Sequence, residues 1–237
     1  MFDAAMTPTR RTMLLTMAGV PVLVTACAQT TEDGGSDGGS GGGGGGALTI
    51  GTTDKVTALD PAAAYDNGSS TVWTQCYAYL MNTSVGSEDG VPEPDLAETA
   101  EFTSDNVYTV TLKEGLTFAN GNELTSEDVK HTFDRQLAIA DPNGPSSLLG
   151  NLEKVEAVDP TTVKVTFKEA KPFPFTAFVG SESPIVQKAQ FTPCMGAAAP
   201  TCTDANFKPI GTGPFRVTEF RTNDVVQLEA NPEYRDP

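Results

Sequence analysis

The stretch that decides the fold is residues 92–135, which read PEPDLAETAEFTSDNVYTVTLKEGLTFANGNELTSEDVKHTFDR. In its middle, the apolar side chains of Tyr108, Val110 and Leu112 alternate with threonines. This two-residue period is typical of a strand with one buried face. A turn and a second short apolar run at 116–118 follow, so the first part of the stretch predicts a strand, a turn and another apolar segment.

A helix is predicted directly after these segments. Thr125 is its expected N-cap, and Asp128 three residues later is the acidic half of a capping box. Leu124 is placed to pack against Val129 across the first turn as a hydrophobic staple. The helix then carries one predicted apolar stripe at helical spacing, made of Val129, Phe133, Leu137 and Ala140.

Five short motifs carry information that a strand, a turn and a helix alone do not. Within the stretch they are PDLAE at 94–98, FANG at 118–121 and LTSEDV at 124–129, and beyond it they are PIGTGPF at 209–215 and NPEY at 231–234. Together these motifs closely resemble the signature region of the family 5 extracellular solute-binding proteins, the peptide-binding and nickel-binding lipoproteins that supply ABC importers.

The resemblance implies an α/β fold of the periplasmic-binding-protein type, in the class that carries an inserted subdomain. Residues 47–237 would form a first lobe built on a mixed sheet, together with most of that subdomain. Members of the family are considerably longer and close a second lobe over the ligand. We therefore expect this sequence to stop before the second lobe.

The same resemblance implies a binding function, with no enzymatic activity and no cofactor. We expect a monomer that captures oligopeptides or a related small solute outside the cytoplasmic membrane and delivers it to the permease subunits of an ABC importer. In peptide-binding relatives the loop after the first Asp-Pro lies beside the ligand, and here that loop contains Tyr65, Asp66 and Asn67. Asp66 and Asn67, followed by Gly68, are also good turn residues, so both interpretations remain open.

The N-terminal residues 1–26 have the features of an export signal. Arg10 and Arg11 precede a short apolar segment at 13–24, and the letters VTAC ending at Cys27 fit the lipobox of bacterial lipoproteins. Cleavage before Cys27 would leave its thiol for lipid attachment and anchor the protein to the outer face of the membrane. About a dozen apolar residues are too few for a stable membrane span. The arginine pair leaves the general and the twin-arginine export routes open.

Residues 27–46 predict a disordered tether, because after the cysteine they read AQTTEDGGSDGGSGGGGGG, without a large apolar side chain. A flexible chain of this length spans roughly 25 Å. No strand precedes the glycines and no Lys-Ser or Lys-Thr pair ends them, which argues against a phosphate-binding loop. The folded region should begin at Ala47, with a strand at 48–51 and a helix at 71–80 in which Trp73 belongs to the core or lines a binding site.

Two patterns later in the chain predict strands. Segments 155–158 and 163–167 flank an Asp-Pro-Thr turn and predict a hairpin. Gly211, Thr212 and Gly213 lack the third glycine of a dinucleotide-binding loop and precede a strand pattern instead of a helix. We interpret them as a tight turn between strands.

Three cysteines remain once Cys27 is assigned to lipid: Cys76, Cys194 and Cys202. The loop between Cys194 and Cys202 is rich in Ala, Gly and Pro, so a disulfide that closes it is the economical interpretation. In the loop-entropy model, a disulfide that closes a loop of this length stabilises the folded state by about 2 to 3 kcal/mol. A metal site is the alternative, but the spacing is long for a Cys-x-x-Cys pair and no histidine lies nearby. Cys76 is then either a buried free thiol or paired outside this sequence.

Little in the sequence supports catalysis, a metal site or nucleic-acid binding. The formal net charge is -16. Nucleic-acid binding requires a basic surface that neutralises the phosphate backbone, and the sequence shows none. His131 is the single histidine, we expect it on the solvated side of its helix, and no Gly-x-Ser-x-Gly elbow accompanies it. The alternative function is a cell-envelope hydrolase, but among the 31 acidic residues no motif selects a catalytic pair.

Overall fold

The structure is a computed structural model that describes five parts of the chain. These parts are residues 48–83, 91–170, 184–194, 208–222 and 224–235. The predicted export signal, Cys27, the tether and Cys202 lie outside them, so the roles assigned to these residues stay predictions. The chain divides into two units, Met1–Thr49 and Ile50–Pro237. All helices and strands of the described residues belong to the second unit.

The described residues contain three α-helices, which are α1 Asn67–Cys76, α2 Ser126–Ile139 and α3 Lys188–Phe191. Two 3-10 helices span Pro145–Leu149 and Thr192–Cys194. The strands are β1 Met81–Asn82, β2 Glu93–Pro94, β3 Ala97–Ser104, β4 Val107–Leu112, β5 Leu152–Ala157, β6 Thr162–Phe167, β7 Phe215–Arg221 and β8 Val225–Ala230. Within these parts the strands form three antiparallel sheets, in the orders β1-β2, β3-β4-β6-β5 and β7-β8.

The four-stranded sheet confirms the strand pattern predicted from the alternating threonines. In β4, which lies between β3 and β6, Tyr108, Val110 and Leu112 are buried while the residues between them are partly exposed. The predicted hairpin is formed by β5 and β6, with Val155 opposite Val165. The buried apolar side chains of this sheet form the larger core cluster, and α2 packs against β5 and β6.

The helix α2 begins as the sequence predicts. The Thr125 backbone N–H donates to Asp128 Oδ2 over 2.9 Å, which is the reciprocal bond of a capping box. Leu124 and Val129 on either side of the cap are both buried in the larger core cluster. The cap and the staple therefore fix the direction in which α2 leaves the preceding loop.

The predicted apolar stripe on α2 is correct for Val129 and Phe133 and wrong beyond them. Leu137 is 37% exposed, and Ala140 is the C-cap residue, in the left-handed conformation with φ 46°. The helix buries polar side chains on a second face, which are those of Asp128, Thr132, Arg135 and Gln136. The spacing of apolar residues identifies only part of the buried surface of α2, because the rest of that surface is polar.

Two polar side chains on this second face hold the segment at 184–194. Asp128 Oδ1 accepts a hydrogen bond from the backbone N–H of Lys188 over 2.8 Å. Thr132 Oγ1 accepts one from the backbone N–H of Val186 over 3.1 Å. Because buried backbone donors need partners, these two bonds let the segment pack against α2 without an unsatisfied amide at either position.

The first helix lies closer to the N-terminus than the sequence predicts. It was expected at 71–80, whereas α1 spans Asn67–Cys76. The Asp66 side chain is the reason, because its carboxylate accepts from the backbone N–H of Ser69 over 2.8 Å and caps the helix there. Residues 77–80 lie outside the helix and are buried.

Two further expectations about the start of the folded region have opposite outcomes. Trp73 is fully buried in the second core cluster, which confirms that it belongs to the core. The predicted strand at 48–51 is wrong, since these residues form no strand and the side chains of Leu48 and Ile50 are exposed.

The glycines of the 209–215 motif allow a close approach to the end of α1. A Cβ atom on Gly211 would lie 1.9 Å from the Cys76 carbonyl oxygen, and the same oxygen accepts the backbone N–H of Gly213 over 2.9 Å. Strand β7 begins at Phe215, directly after this contact. The motif is therefore a bend that leads into a strand, and the strand after it is as predicted. The predicted turn between two strands is wrong on its N-terminal side, because the described residues 208–210 form no strand.

One buried ion pair connects α2 to the loop that precedes α1. Arg135 Nη1 donates to Asp60 Oδ1 over 2.8 Å and Nη2 donates to Oδ2 over 2.6 Å. The side chains of Arg135 and Asp60 are only 2% and 0% exposed. The guanidinium also lies over the ring of Phe191 in α3, 4.3 Å from its centroid. Three segments that are distant in sequence meet at this one side chain.

Removing Arg135 should cost much of the stability of the fold. In Arg135→Met, the Asp60 carboxylate stays buried without its charged partner, so we expect the free energy of unfolding to fall by about 3 to 5 kcal/mol. Urea denaturation at pH 7 measures this change. Arg221→Met is the control, since its ion pairs with Glu219 and Asp224 are exposed and should contribute less than about 1 kcal/mol. Equal losses in both variants would contradict the role assigned to Arg135.

Candidate functional site

The loop with the predicted ligand-binding residues presents them in different ways. Tyr65 is 52% exposed, and Asn67, the first residue of α1, is exposed as well. The Asp66 carboxylate is engaged within the chain, because its Oδ2 accepts from Thr57 Oγ1 over 2.5 Å and from Ser69 Oγ over 2.9 Å. Tyr65 and Asn67 are therefore open to a solute, while Asp66 serves the helix cap.

Both ends of this loop are fixed. At its start, Asp60 accepts from the backbone N–H of Ala62 over 3.1 Å while it binds Arg135. A Cβ atom on Gly144 would lie 2.3 Å from the Ala62 carbonyl oxygen, so the turn after α2 lies directly against the loop. At its end, Asp66 holds the first turn of α1. The loop consequently presents Tyr65 from a fixed backbone.

A cavity of about 220 Å³ lies elsewhere on the same unit. Its walls come from the end of α1, the chain up to β1, the loop before β3 and the segments next to β7 and β8. The lining residues are Thr74, Tyr77, Ala78, Tyr79, Asn82, Asp95, Gly213, Pro214, Tyr234 and Arg235. None of the three residues predicted from the resemblance is among them.

An ion pair between Asp95 and Arg235 borders the cavity. Arg235 Nη2 contacts Asp95 Oδ1, and the two side chains are 21% and 13% exposed for Arg235 and Asp95 respectively. The other carboxylate oxygen, Asp95 Oδ2, accepts from the backbone N–H of Tyr79 over 2.9 Å. The Arg235 guanidinium lies 5.5 Å from the centroid of the Tyr234 ring. The cavity thus combines one pair of charges with aromatic walls.

Asn231 holds the wall that carries Tyr234 and Arg235. Its side-chain Nδ2 donates to the Gly213 carbonyl over 2.8 Å, and its backbone N–H donates to the Pro214 carbonyl over 2.8 Å. Asp95 and Tyr234 belong to two of the sequence motifs, and the sequence alone assigns neither of them to a site. In the sequence these two residues are marked only by belonging to motifs. Because the two motifs lie far apart in the chain, the sequence does not reveal that the residues are close in space.

The thiol of Cys76 is unreactive. Cys76 is buried and has no disulfide partner among the described residues, and desolvation by burial raises its pKa to about 12. A thiol with such a pKa is neutral at physiological pH and a poor nucleophile. Cys194 ends a 3-10 helix, and its predicted partner Cys202 lies outside the described residues, so the disulfide stays a prediction.

His131 is buried, which corrects the expectation that it is solvated. It is 6% exposed, and among the described residues its Nε2 atom has no hydrogen-bond partner. Desolvation lowers the pKa of His131, and the positive charges of Arg135 and Lys188 lower it further, while Asp128 and Asp134 oppose them. The neutral imidazole of His131 is enclosed by the protein. His131 is not among the residues that line the cavity described above.

Two kinds of feature are absent from the described residues. No group of three or more histidine, cysteine or acidic side chains is arranged there as a metal site. In the same parts of the chain, none of the helices has the length and apolar character of a membrane span.

Solved structures of binding proteins share this fold. The binding protein MoaA of A. tumefaciens, in complex with mannopinic acid, has a TM-score of 0.66 at 28% identity, covering 76% of this chain and 36% of its own. The oligopeptide-binding protein AppA of Bacillus subtilis, in complex with a nonapeptide, has a TM-score of 0.66 at 25% identity, covering 77% and 36%. These similarities confirm the α/β fold of the periplasmic-binding-protein type.

The sequence comparison names the family. Residues 91–237 match the family described as bacterial extracellular solute-binding proteins, family 5 Middle. All five motifs quoted above lie within this match, which covers more than half of the chain. The chain therefore belongs to the family 5 bacterial extracellular solute-binding proteins.

Curated relatives are considerably longer than this chain. The glutathione-binding protein GsiB of Shigella boydii serotype 4 is 28% identical over 228 residues, which are 96% of this chain and 40% of the relative. The GsiB protein of Shigella flexneri is 27% identical over 233 residues, with the same two shares. The chain spans 40% of the length of these relatives.

The burial of His131 predicts a pH dependence of stability. The folded state has the lower histidine pKa, so the contribution of neutral His131 is complete above pH 6.5, its unfolded value, and is lost as the pH falls below it. We expect unfolding free energies measured by urea denaturation to fall between pH 7 and 5, by at most about 1.4 kcal/mol per pH unit. This slope should be absent in His131→Gln, since the chain has a single histidine.

Glu127→Gln is the control for this measurement. The pKa of Glu127 is already below its ordinary value of 4.5, chiefly through its hydrogen bond to Lys188. Its titration therefore falls below the pH window of the histidine, and the variant should keep the wild-type slope between pH 7 and 5. A slope that persists in His131→Gln would contradict the prediction.

Proposed function

We propose that this protein is the solute-binding component of an ABC importer. It captures oligopeptides or a related small solute outside the cytoplasmic membrane and delivers them to the permease subunits. The observation that carries the proposal is the family match over residues 91–237. The fold shared with a nonapeptide complex and a mannopinic acid complex supports it, as do relatives named for glutathione binding.

The proposed mechanism is binding without chemistry. Binding requires exposed groups on a fixed backbone, and Tyr65 and Asn67 meet this condition. A hydrolase would need an accessible base beside a nucleophile. His131 is enclosed and its pKa is lowered by burial, and the thiol of Cys76 is neutral. We therefore propose that the solute is released unchanged and that no cofactor takes part.

We further propose that the protein is a lipid-anchored monomer on the outer face of the cell membrane. This part rests on the sequence of residues 1–46, where the lipobox ends at Cys27 and a tether without large apolar side chains follows. A tether that spans roughly 25 Å would let an anchored protein reach a permease in the same membrane.

Solute binding is tested on the purified chain with a panel of dipeptides to nonapeptides, glutathione and mannopinic acid. We expect at least one solute to bind in isothermal titration calorimetry and to raise the unfolding free energy by about 2.7 kcal/mol at one hundred times its dissociation constant. Mass spectrometry of the released solute should show no change. A panel without any binder, or consumption of the bound solute, would contradict the proposed function.

Two variants with matched exposure test the proposed contact residue. Tyr65 and Val158 are 52% and 57% exposed, so either side chain is removable with little effect on the core. Tyr65→Ala should weaken the binding of the best solute at least tenfold, while Val158→Ala should leave its affinity unchanged. Equal affinities in the two variants would remove Tyr65 from the binding site.

Lipid anchoring is tested by metabolic labelling of bacterial cells with an alkyne-tagged fatty acid. The wild-type chain should carry the label and sediment with membranes, because Cys27 is the expected attachment site. Cys27→Ser should lose both properties. Cys76→Ala, which removes a buried thiol, should keep both. Labelled protein in the Cys27→Ser sample would show that the anchor lies elsewhere.

A further inference from the structure

Two arginine–carboxylate pairs in this fold differ in their surroundings. The pair between Arg135 and Asp60 is bidentate, and its side chains are 2% and 0% exposed. The pair between Arg235 and Asp95 is 21% and 13% exposed and lines the cavity of about 220 Å³. The first pair is sealed by protein on all sides. The second borders a space that a small molecule is able to enter.

The walls around the open pair are amphipathic. Tyr77, Tyr79 and Tyr234 are among the lining residues, together with the polar Asn82, and the Tyr234 ring lies beside the Arg235 guanidinium. Pockets that enclose a whole drug-sized ligand measure about 300 to 1,000 Å³, so this cavity suits a smaller solute or one end of a longer one.

We propose that Asp95 and Arg235 form a subsite for the α-amino-acid group of a solute, in which an ammonium and a carboxylate are carried on one carbon atom. Asp95 Oδ1 takes the ammonium and the Arg235 guanidinium takes the carboxylate, as the direct contact between the two side chains is exchanged for contacts with the ligand. The proposal rests on the proposed function and names the chemical class of the solute and the residues that hold it.

The exchange leaves every charge with a partner. Removing one member of a partly buried ion pair leaves the other uncompensated, whereas a zwitterion supplies both opposite charges together. The second oxygen of Asp95 keeps its bond from the Tyr79 backbone N–H, so the carboxylate stays oriented during the exchange. Asn231 holds the chain just before Arg235 through its two bonds to Gly213 and Pro214.

Selectivity follows from the same pairing. A ligand with only a carboxylate would take Arg235 and leave Asp95 with an unpaired, partly buried negative charge, and a ligand with only an amine would do the reverse. Each half-matched ligand therefore bears the cost of an unpaired charge. The tyrosine rings add contact with an apolar side chain and do not discriminate between the charge patterns.

The test uses L-leucine, N-acetyl-L-leucine and L-leucinamide with the purified chain in isothermal titration calorimetry. We expect L-leucine to bind, and removal of either charge to weaken binding at least tenfold. Asp95→Asn should bind N-acetyl-L-leucine as tightly as it binds L-leucine. Arg235→Gln should bind L-leucinamide as tightly as it binds L-leucine. Arg216→Gln is the control, since its exposed ion pair with Glu229 lies on the β7-β8 hairpin, and it should still bind both derivatives at least tenfold more weakly than L-leucine.

Several outcomes would overturn the subsite. One is equal binding of the three ligands to the wild-type chain, a comparison that needs no variant to fold. Another is that Asp95→Asn or Arg235→Gln, shown to be folded by circular dichroism, still binds both derivatives at least tenfold more weakly than L-leucine. Asp95 and Arg235 would then be a structural pair only. Peptides that bind while L-leucine does not would overturn the subsite and leave the proposed function standing. Absence of any binder, peptides included, would overturn both.

Discussion

The buried pair between Asp60 and Arg135 is the interaction on which the rest of this structure depends. Its partners are 75 positions apart in sequence, and the same guanidinium covers the ring of Phe191. An ion pair with side chains 2% and 0% exposed has a large desolvation cost, so it is a weak source of net stability compared with apolar packing. Its effect is on position, because the bidentate contact fixes how α2 and the loop before α1 lie against each other.

The polar face of α2 extends this effect along the helix. Asp128 closes the capping box through Thr125 and also accepts the backbone N–H of Lys188, and Thr132 accepts that of Val186. One carboxylate thus caps the start of a helix and attaches a neighbouring segment at the same time. The neighbouring, apolar face packs on the four-stranded sheet. The helix is consequently buried on two faces, which are held by different kinds of interaction.

The sequence predicts what local chemistry determines and misses what distant partners determine. The alternating strand, the hairpin and the capping box are encoded by neighbouring residues, and the structure confirms all three. The exposure of Leu137 and the burial of His131 depend on what packs against α2, which spacing along the chain does not reveal. Asp95 and Arg235 are 140 positions apart, so their meeting at one cavity could not be predicted. The family was identified because its motifs are local.

The loop at 60–66 shows how a rigid interior and an accessible surface are combined. Arg135 fixes its start and the cap of α1 fixes its end, so the backbone between them has little freedom left to lose. Ordering loops and side chains is a main cost of association, and a loop that is ordered before the solute arrives avoids most of it. Tyr65 stays half exposed on this fixed backbone. The sealed ion pair therefore supports binding without touching the ligand, since it sets where the exposed ring stands.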